Sequence, residues 1–174
     1  MIILLWNERS ILKYSPLIQR LLKTDVYSRR NTMSNYQTHN FGKMSEVDKY
    51  VFAPEGSGIN IPGKLFLGEQ LDFTSIEVSV NKNAPGTGMN FFHRHKDNEE
   101  TYIFISGKGE MLIDGDKVAV EEGSVVVVKP DAKRTWWNTG DIDLLYIVVQ
   151  APVNGLKSGG VDDGELLDGT VPWE

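Results

Sequence analysis

Two histidines one residue apart, His93 and His95, stand five residues ahead of Glu100 in the stretch TGMNFFHRHKDNEETYIFISG, residues 87–107. The chain holds only three histidines, so two of them fall within this one stretch. Imidazole nitrogens and a carboxylate oxygen are the donors that hold a divalent metal ion while leaving coordination positions open. The pattern predicts a strand over Met89–His95, which would turn both imidazoles to one face. A second strand from Glu100 to Ser106 would place Glu100, Tyr102 and Phe104 on one face and Thr101, Ile103 and Ile105 on the other. A turn at Lys96-Asp97-Asn98 would lay these strands side by side and bring the carboxylate to the imidazoles. The bland alternative is a surface strand with alternating polar residues, and spacing alone does not separate the two.

The elements that must position these residues read as β-structure. From Lys64 onward, KLFLGEQL and TSIEVSVN alternate, with Ile76, Val78 and Val80 on one face and Ser75, Glu77 and Ser79 on the other. Asp114-Gly115 between alternating runs marks a hairpin. Glu121-Glu122-Gly123 makes the next turn, and the run VVVVK (125–129) has the look of a strand covered on both faces. RTWWN (134–138) and DLLYIVVQA (143–151) complete about eight or nine short strands without an internal helix. The economical architecture is all-β, a closed double-sheet jelly roll. On RTWWN, Trp136 and Trp137 point to opposite faces.

The same residues resemble the cupin family. Its first motif, G-x5-H-x-H-x3,4-E-x6-G, is met by His93, His95, Glu100 and Gly107, with Thr87 at the leading glycine position between Gly86 and Gly88. Its second, G-x5-P-x-G-x2-H-x3-N, has its outer spacing at Gly123 and Asn138, with Pro130 one position late. The resemblance implies a double-stranded β-helix barrel over 64–152 and a dimer formed through barrel strands. The second-motif histidine falls at Arg134, counted from Gly123 or Asn138, and at Thr135 counted from Pro130, and neither is a histidine. Arginine has no lone pair to give, so the ligand set of three His and one Glu is incomplete.

The cavity admits three uses. With metal, His93, His95 and Glu100 would hold Fe, Mn, Ni or Zn, and oxidoreductase chemistry of the dioxygenase type leads the enzymatic readings. Arg134 would clamp a small anionic organic molecule, with Trp136, Phe91, Phe104 and Tyr102 shaping the pocket. Without metal, an isomerase or epimerase would use His93 or His95 as base, Tyr102 as acid and Arg134 as anion clamp. A sensor or storage barrel that only binds its ligand is the non-catalytic alternative.

Composition narrows the rest. The 174-residue chain has no cysteine, which excludes disulfides and thiolate sites and is compatible with a reducing, cytoplasmic setting. A net charge of −6 argues against a nucleic-acid partner. Residues 1–32 carry six basic and two acidic side chains, net +4, leaving −10 for residues 33–174. That extension contains an apolar run too short to span a membrane and a short basic amphipathic pattern. Met33 is a plausible alternative start. Residues 33–63 should be an irregular lead-in wrapping the barrel, carrying a solvated His39 and one short edge strand. Residues 153–174 form an acidic, Gly-rich tail that Trp173 could pin to the barrel, and a homodimer is expected.

Overall fold

The computed structural model describes residues 35–159 and 162–173. All the described turns and strands belong to one compact unit, Thr38–Glu174. The basic extension 1–32 lies outside the described residues. A 3-10 turn, Met44–Lys49, opens the lead-in and is followed by the two-residue strands β1 (Val51–Phe52) and β2 (Ile61–Pro62). The barrel strands are β3 (Lys64–Phe66), β4 (Glu77–Asn83), β5 (Asn98–Ser106), β6 (Lys108–Ile113), β7 (Asp116–Glu121), β8 (Val125–Val128), β9 (Arg134–Asn138) and β10 (Leu144–Pro152). They form a five-stranded sheet, β3-β4-β10-β5-β8, facing a three-stranded sheet, β7-β6-β9, with every pairing antiparallel. The jelly-roll expectation is met.

Local chemistry explains the corners. Asp114 and Gly115 both take positive φ, 51° and 102°, as a tight hairpin between β6 and β7 requires. The chain passes from β5 in one sheet to β6 in the other through Gly107, at φ 85°. A Cβ there would stand 2.5 Å from the Asp143 carbonyl oxygen, so only glycine fits both the dihedral and the space.

Period-two alternation then fills the barrel. Tyr102 and Phe104 of β5, Met111, Val120, Val128, Trp136 and the β10 residues Leu144, Tyr146 and Val148 form its core. Outside the five-stranded sheet, Val47, Leu65 and Val80 pack with Phe41, Met44 and Tyr50, so the lead-in covers the outer face of β3 and β4. Trp136 is buried and Trp137 faces out, as alternation predicts.

Several expectations are corrected. VVVVK is not covered on both faces: Val125 and Val127 are 60% and 49% exposed, because β8 is an edge strand with only Val126 and Val128 turned inward. KLFLGEQL is a strand only to Phe66, after which Leu67–Glu69 winds into a 3-10 turn. Trp173 does not pin the tail, being 85% exposed. On β4, the residues turned into the barrel are Ser79, Asn81 and Asn83, because Val80 is drawn to the lead-in cluster. The inner lining of this strand is polar. Among the described residues no helix is long and apolar enough to cross a membrane.

Candidate metal site

The histidines do not come from a regular strand paired with β5. Residues 86–95 run antiparallel beside β9, bridged at Gly88–Trp137 and at His93–Arg134. Five residue steps on one side therefore span three on the other, which inserts a two-residue bulge around Asn90–Phe92. An even insertion preserves parity, so the histidines still face the barrel. Hydrogen bonds from Met89 N to Trp136 O (2.9 Å), His93 N to Arg134 O (3.1 Å), Arg134 N to His93 O (3.0 Å) and Asp131 N to His95 O (2.8 Å) fix the segment. Glu100 instead belongs to β5, paired between β10 and β8. The imidazoles, on a segment bridged to β9, and the carboxylate, on β5, thus meet across the barrel and not within one hairpin.

Their convergence is close. His95 Nε2 lies 3.1 Å from Glu100 Oε1 and His93 Nε2 lies 3.9 Å from Glu100 Oε2. One ligand atom from each of the three residues lies within 4.8 Å of the others. Gln150, directly opposite Glu100 on β10, places its amide nitrogen 3.0 Å from His95 Nδ1. As oriented, that amide donates to Nδ1, so Nε2 carries the ring proton toward Glu100. With the amide turned over, its oxygen would accept from Nδ1–H and leave the Nε2 lone pair free.

Arg134 points inward and is fully buried. Its Nη2 pairs with Glu100 Oε2, and Nη1 donates to the Ala132 carbonyl at 3.2 Å. The Tyr102 hydroxyl donates to the same Glu100 oxygen at 2.6 Å. His93 Nδ1 and Arg134 Nε are buried without a hydrogen-bond partner. Trp136 lies edge-on to both His93 and Tyr102, with ring centroids 5.7 and 5.2 Å away. Phe91 flanks His93 at 6.2 Å. Phe104 sits deeper, against Tyr146, at 5.6 Å. The exposed His39 lies apart, in the lead-in.

Protonation follows from these neighbours. Burial lowers the His93 pKa to about 4, and the adjacent Arg134 charge acts in the same direction, so its imidazole is neutral. Burial opposes the Glu100 charge, but donors from His95, Tyr102 and Arg134 outweigh it and bring the carboxyl to about 2. Burial pushes the Tyr102 hydroxyl pKa up, so it remains a donor. A neutral imidazole with an unpartnered nitrogen, a second imidazole and an ionised carboxylate suit a divalent cation. Arg134, at the second-motif position that the cupin pattern gives to histidine, is paired with Glu100 and would oppose a cation electrostatically.

Sequence reading missed two contributors. Gln150 orients His95, and only the β10–β5 register brings it there. Lys64 on β3 points into the barrel, with Nζ 2.9 Å from Asn81 Oδ1 and 3.2 Å from Ser79 Oγ. No local pattern marks either residue. A cleft of about 440 Å³, lined by Asp48, Lys82, Met89, Trp137 and Asp143 among others, includes none of the three metal-site residues.

This barrel, with a His-His-Glu group set inside it, defines a class, and comparison with known proteins agrees. Residues 81–150 match the cupin domain family. A cupin protein from Bacteroides fragilis is 30% identical, with a TM-score of 0.62 over 78% of this chain and 99% of its own. The chain belongs to the cupin family. A Klebsiella pneumoniae protein with a double-stranded β-helix domain shares the fold at 24% identity and TM-score 0.51, over 68% of this chain and 94% of its own. An uncharacterized protein of Methanocaldococcus jannaschii is 26% identical over 69 residues, 40% of this chain and 55% of that protein. An uncharacterized Aquifex aeolicus protein matches similarly, so this chain spans little more than half the length of its curated relatives.

Proposed function

We propose that the protein holds one divalent metal ion through His93, His95 and Glu100 and binds a small anionic organic molecule beside it. The observation that carries this reading is the convergence of three donor side chains from a β9-bridged segment and from β5, beside a buried arginine. A bound ion of Fe, Mn, Ni or Zn would supply Lewis-acid or, for the redox-active metals, dioxygenase-type chemistry. The chain's own residues do the rest. Gln150 selects the His95 tautomer, while Tyr102 and Arg134 hold the Glu100 carboxylate ionised and oriented. Arg134 adds positive potential that favours an anion, and Phe91 and Trp136 wall the site.

A second reading rests on a different observation. Glu100 Oε2 accepts from both Arg134 and Tyr102, so this carboxylate oxygen already has two donors to serve. In a metal-free isomerase or epimerase, neutral His93 would accept a proton and the Tyr102 hydroxyl would donate one. A homodimer is proposed for either case.

Elemental analysis of the purified protein, beside His93→Ala and Glu100→Ala, separates the two readings. Near-stoichiometric metal in the wild type and its loss from both variants is the expected result. Wild-type protein that stays metal-free after reconstitution would replace the first reading with the second.

A further inference from the structure

Among the described residues, Arg134 and Lys64 are cations turned into the barrel, and of the two only Arg134 has a carboxylate in direct contact. Arg134 is matched by Glu100. Lys64 is not: its two hydrogen bonds go to the neutral side chains of Ser79 and Asn81. The nearby Glu77 carboxylate is engaged by the backbone N–H groups of Gly68 (2.8 Å) and Val78 (2.9 Å). An ammonium has three N–H donors, so Lys64 retains one beyond its bonds to Ser79 and Asn81; the Phe66 ring adds a cation–π contact but no hydrogen-bond acceptor of the usual kind.

Register shows where that donor lies. Lys64 is opposite Asn81, which is opposite Tyr146, which is opposite Phe104. The next row toward the metal site contains Ser79, Val148 and Tyr102, and the row beyond it Glu77, Gln150 and Glu100. By reaching Ser79 Oγ, Lys64 Nζ leans back from its own row toward Tyr102 and the site. Glu100 favours the Lys64 charge, and that charge in turn disfavours protonation of His93. Asn81 is itself fixed, its amide donating to Ser79 O at 3.1 Å and Ser79 Oγ at 3.0 Å. The Phe66 ring, 4.5 Å from Nζ, closes one side.

We propose that Lys64, held by Ser79 and Asn81, is the group that recognises the ligand's anionic end, and that this end is a carboxylate. The proposal rests on reading the barrel interior as a binding site for small anions. Arg134 keeps an unpartnered Nε, but its charge is already matched by Glu100, whereas the direct hydrogen-bond partners of Lys64 are neutral, so Lys64 is the cation left for an anionic end. A carboxylate suits the position better than a phosphate. The one N–H that Ser79 and Asn81 leave unfilled can satisfy one carboxylate oxygen and leave the other for the metal side, whereas phosphate brings more oxygens than this single donor can serve. Burial lowers the Lys64 pKa to about 8, against the pull of Glu100 and Glu77, and a bound anion would offset the cost of keeping it charged.

The test uses malonate and inorganic phosphate as probes on full-length protein, both chelator-treated and Zn(II)-loaded, at pH 7. Thermal unfolding reports binding, and the Lys64 ¹³Cε resonance of lysine-labelled protein, assigned by its loss in Lys64→Met, reports the contact. Malonate should raise Tm and shift that resonance saturably. Lys64→Met should weaken malonate binding about tenfold or more, and Lys64→Arg should largely retain it. Equal malonate binding by wild type and Lys64→Met, or a Lys64 resonance indifferent to malonate, would overturn the proposal. Preference for phosphate would overturn the assigned ligand class. The chelator-treated arm contains no metal, so failure of Zn(II) uptake would count against the metal reading alone.

Discussion

Arg134 decides how tightly the site could hold an ion. A dication at His93, His95 and Glu100 would have to share Glu100 Oε2 with a guanidinium already paired to it, and like charges in a buried site repel strongly. Arg134→His replaces that repulsion with a donor. The expected outcome is Zn(II) affinity at least tenfold higher, measured by chelator competition; unchanged or weaker affinity would show that residue 134 does not address the metal position. His93 sets a second expectation. Its folded pKa, about 4, lies below the ordinary 6.5 because of burial and the Arg134 charge. The unfolded chain therefore takes up this proton first, so the contribution is complete above pH 6.5 and is lost as pH falls toward 4. For chelator-treated protein the loss should be on the order of 2 kcal/mol by urea unfolding, allowing for partial solvent screening of the ring. His93→Gln should flatten the curve across that window.

The element that makes the site is the bulged segment 86–95, not a strand. It depends on a close approach: a Cβ on Gly88 would stand 2.3 Å from Trp136 O and 2.7 Å from Trp137 Cα. Gly88→Ala must push the segment off β9 and carry His93 and His95 with it. A loss of about 1–3 kcal/mol in stability, with a parallel loss of metal uptake, is expected by thermal unfolding and elemental analysis. Gly159→Ala, which meets nothing within 4 Å, serves as the unaffected control. Neither the bulge nor the close approach was legible in the sequence. The alternation of Glu100, Tyr102 and Phe104 was, because β5 is a regular strand with one face in the core.

For the whole molecule, the outer face of β5 and β8 stands out. Ile105, Val125 and Val127 are 41%, 60% and 49% exposed, and β8 has a free edge at the end of its sheet. Ile103 pairs with Val125 and Thr101 with Val127, so these side chains form one continuous surface. A homodimer would cover it. Light scattering after size exclusion should give a dimer for the wild type and a monomer for Val127→Lys; a wild-type monomer at working concentrations would refute the dimer.

Sequence by itself determined the barrel, because turn residues and period-two alternation are local and an all-β chain of this length has few ways to bury one face of every strand. It also determined the donor types, since His93, His95 and Glu100 are chemically suited to a metal wherever they lie. Which residues complete the site was decided only by tertiary structure. Val80 turned outward to the lead-in, and that put Ser79, Asn81 and Asn83 inside. Register brought Gln150 to His95 and Lys64 to Asn81 and Ser79, and the bulged segment set the histidines beside Glu100. Alternation says that a strand has two faces. Only packing against the rest of the chain says which one is the interior.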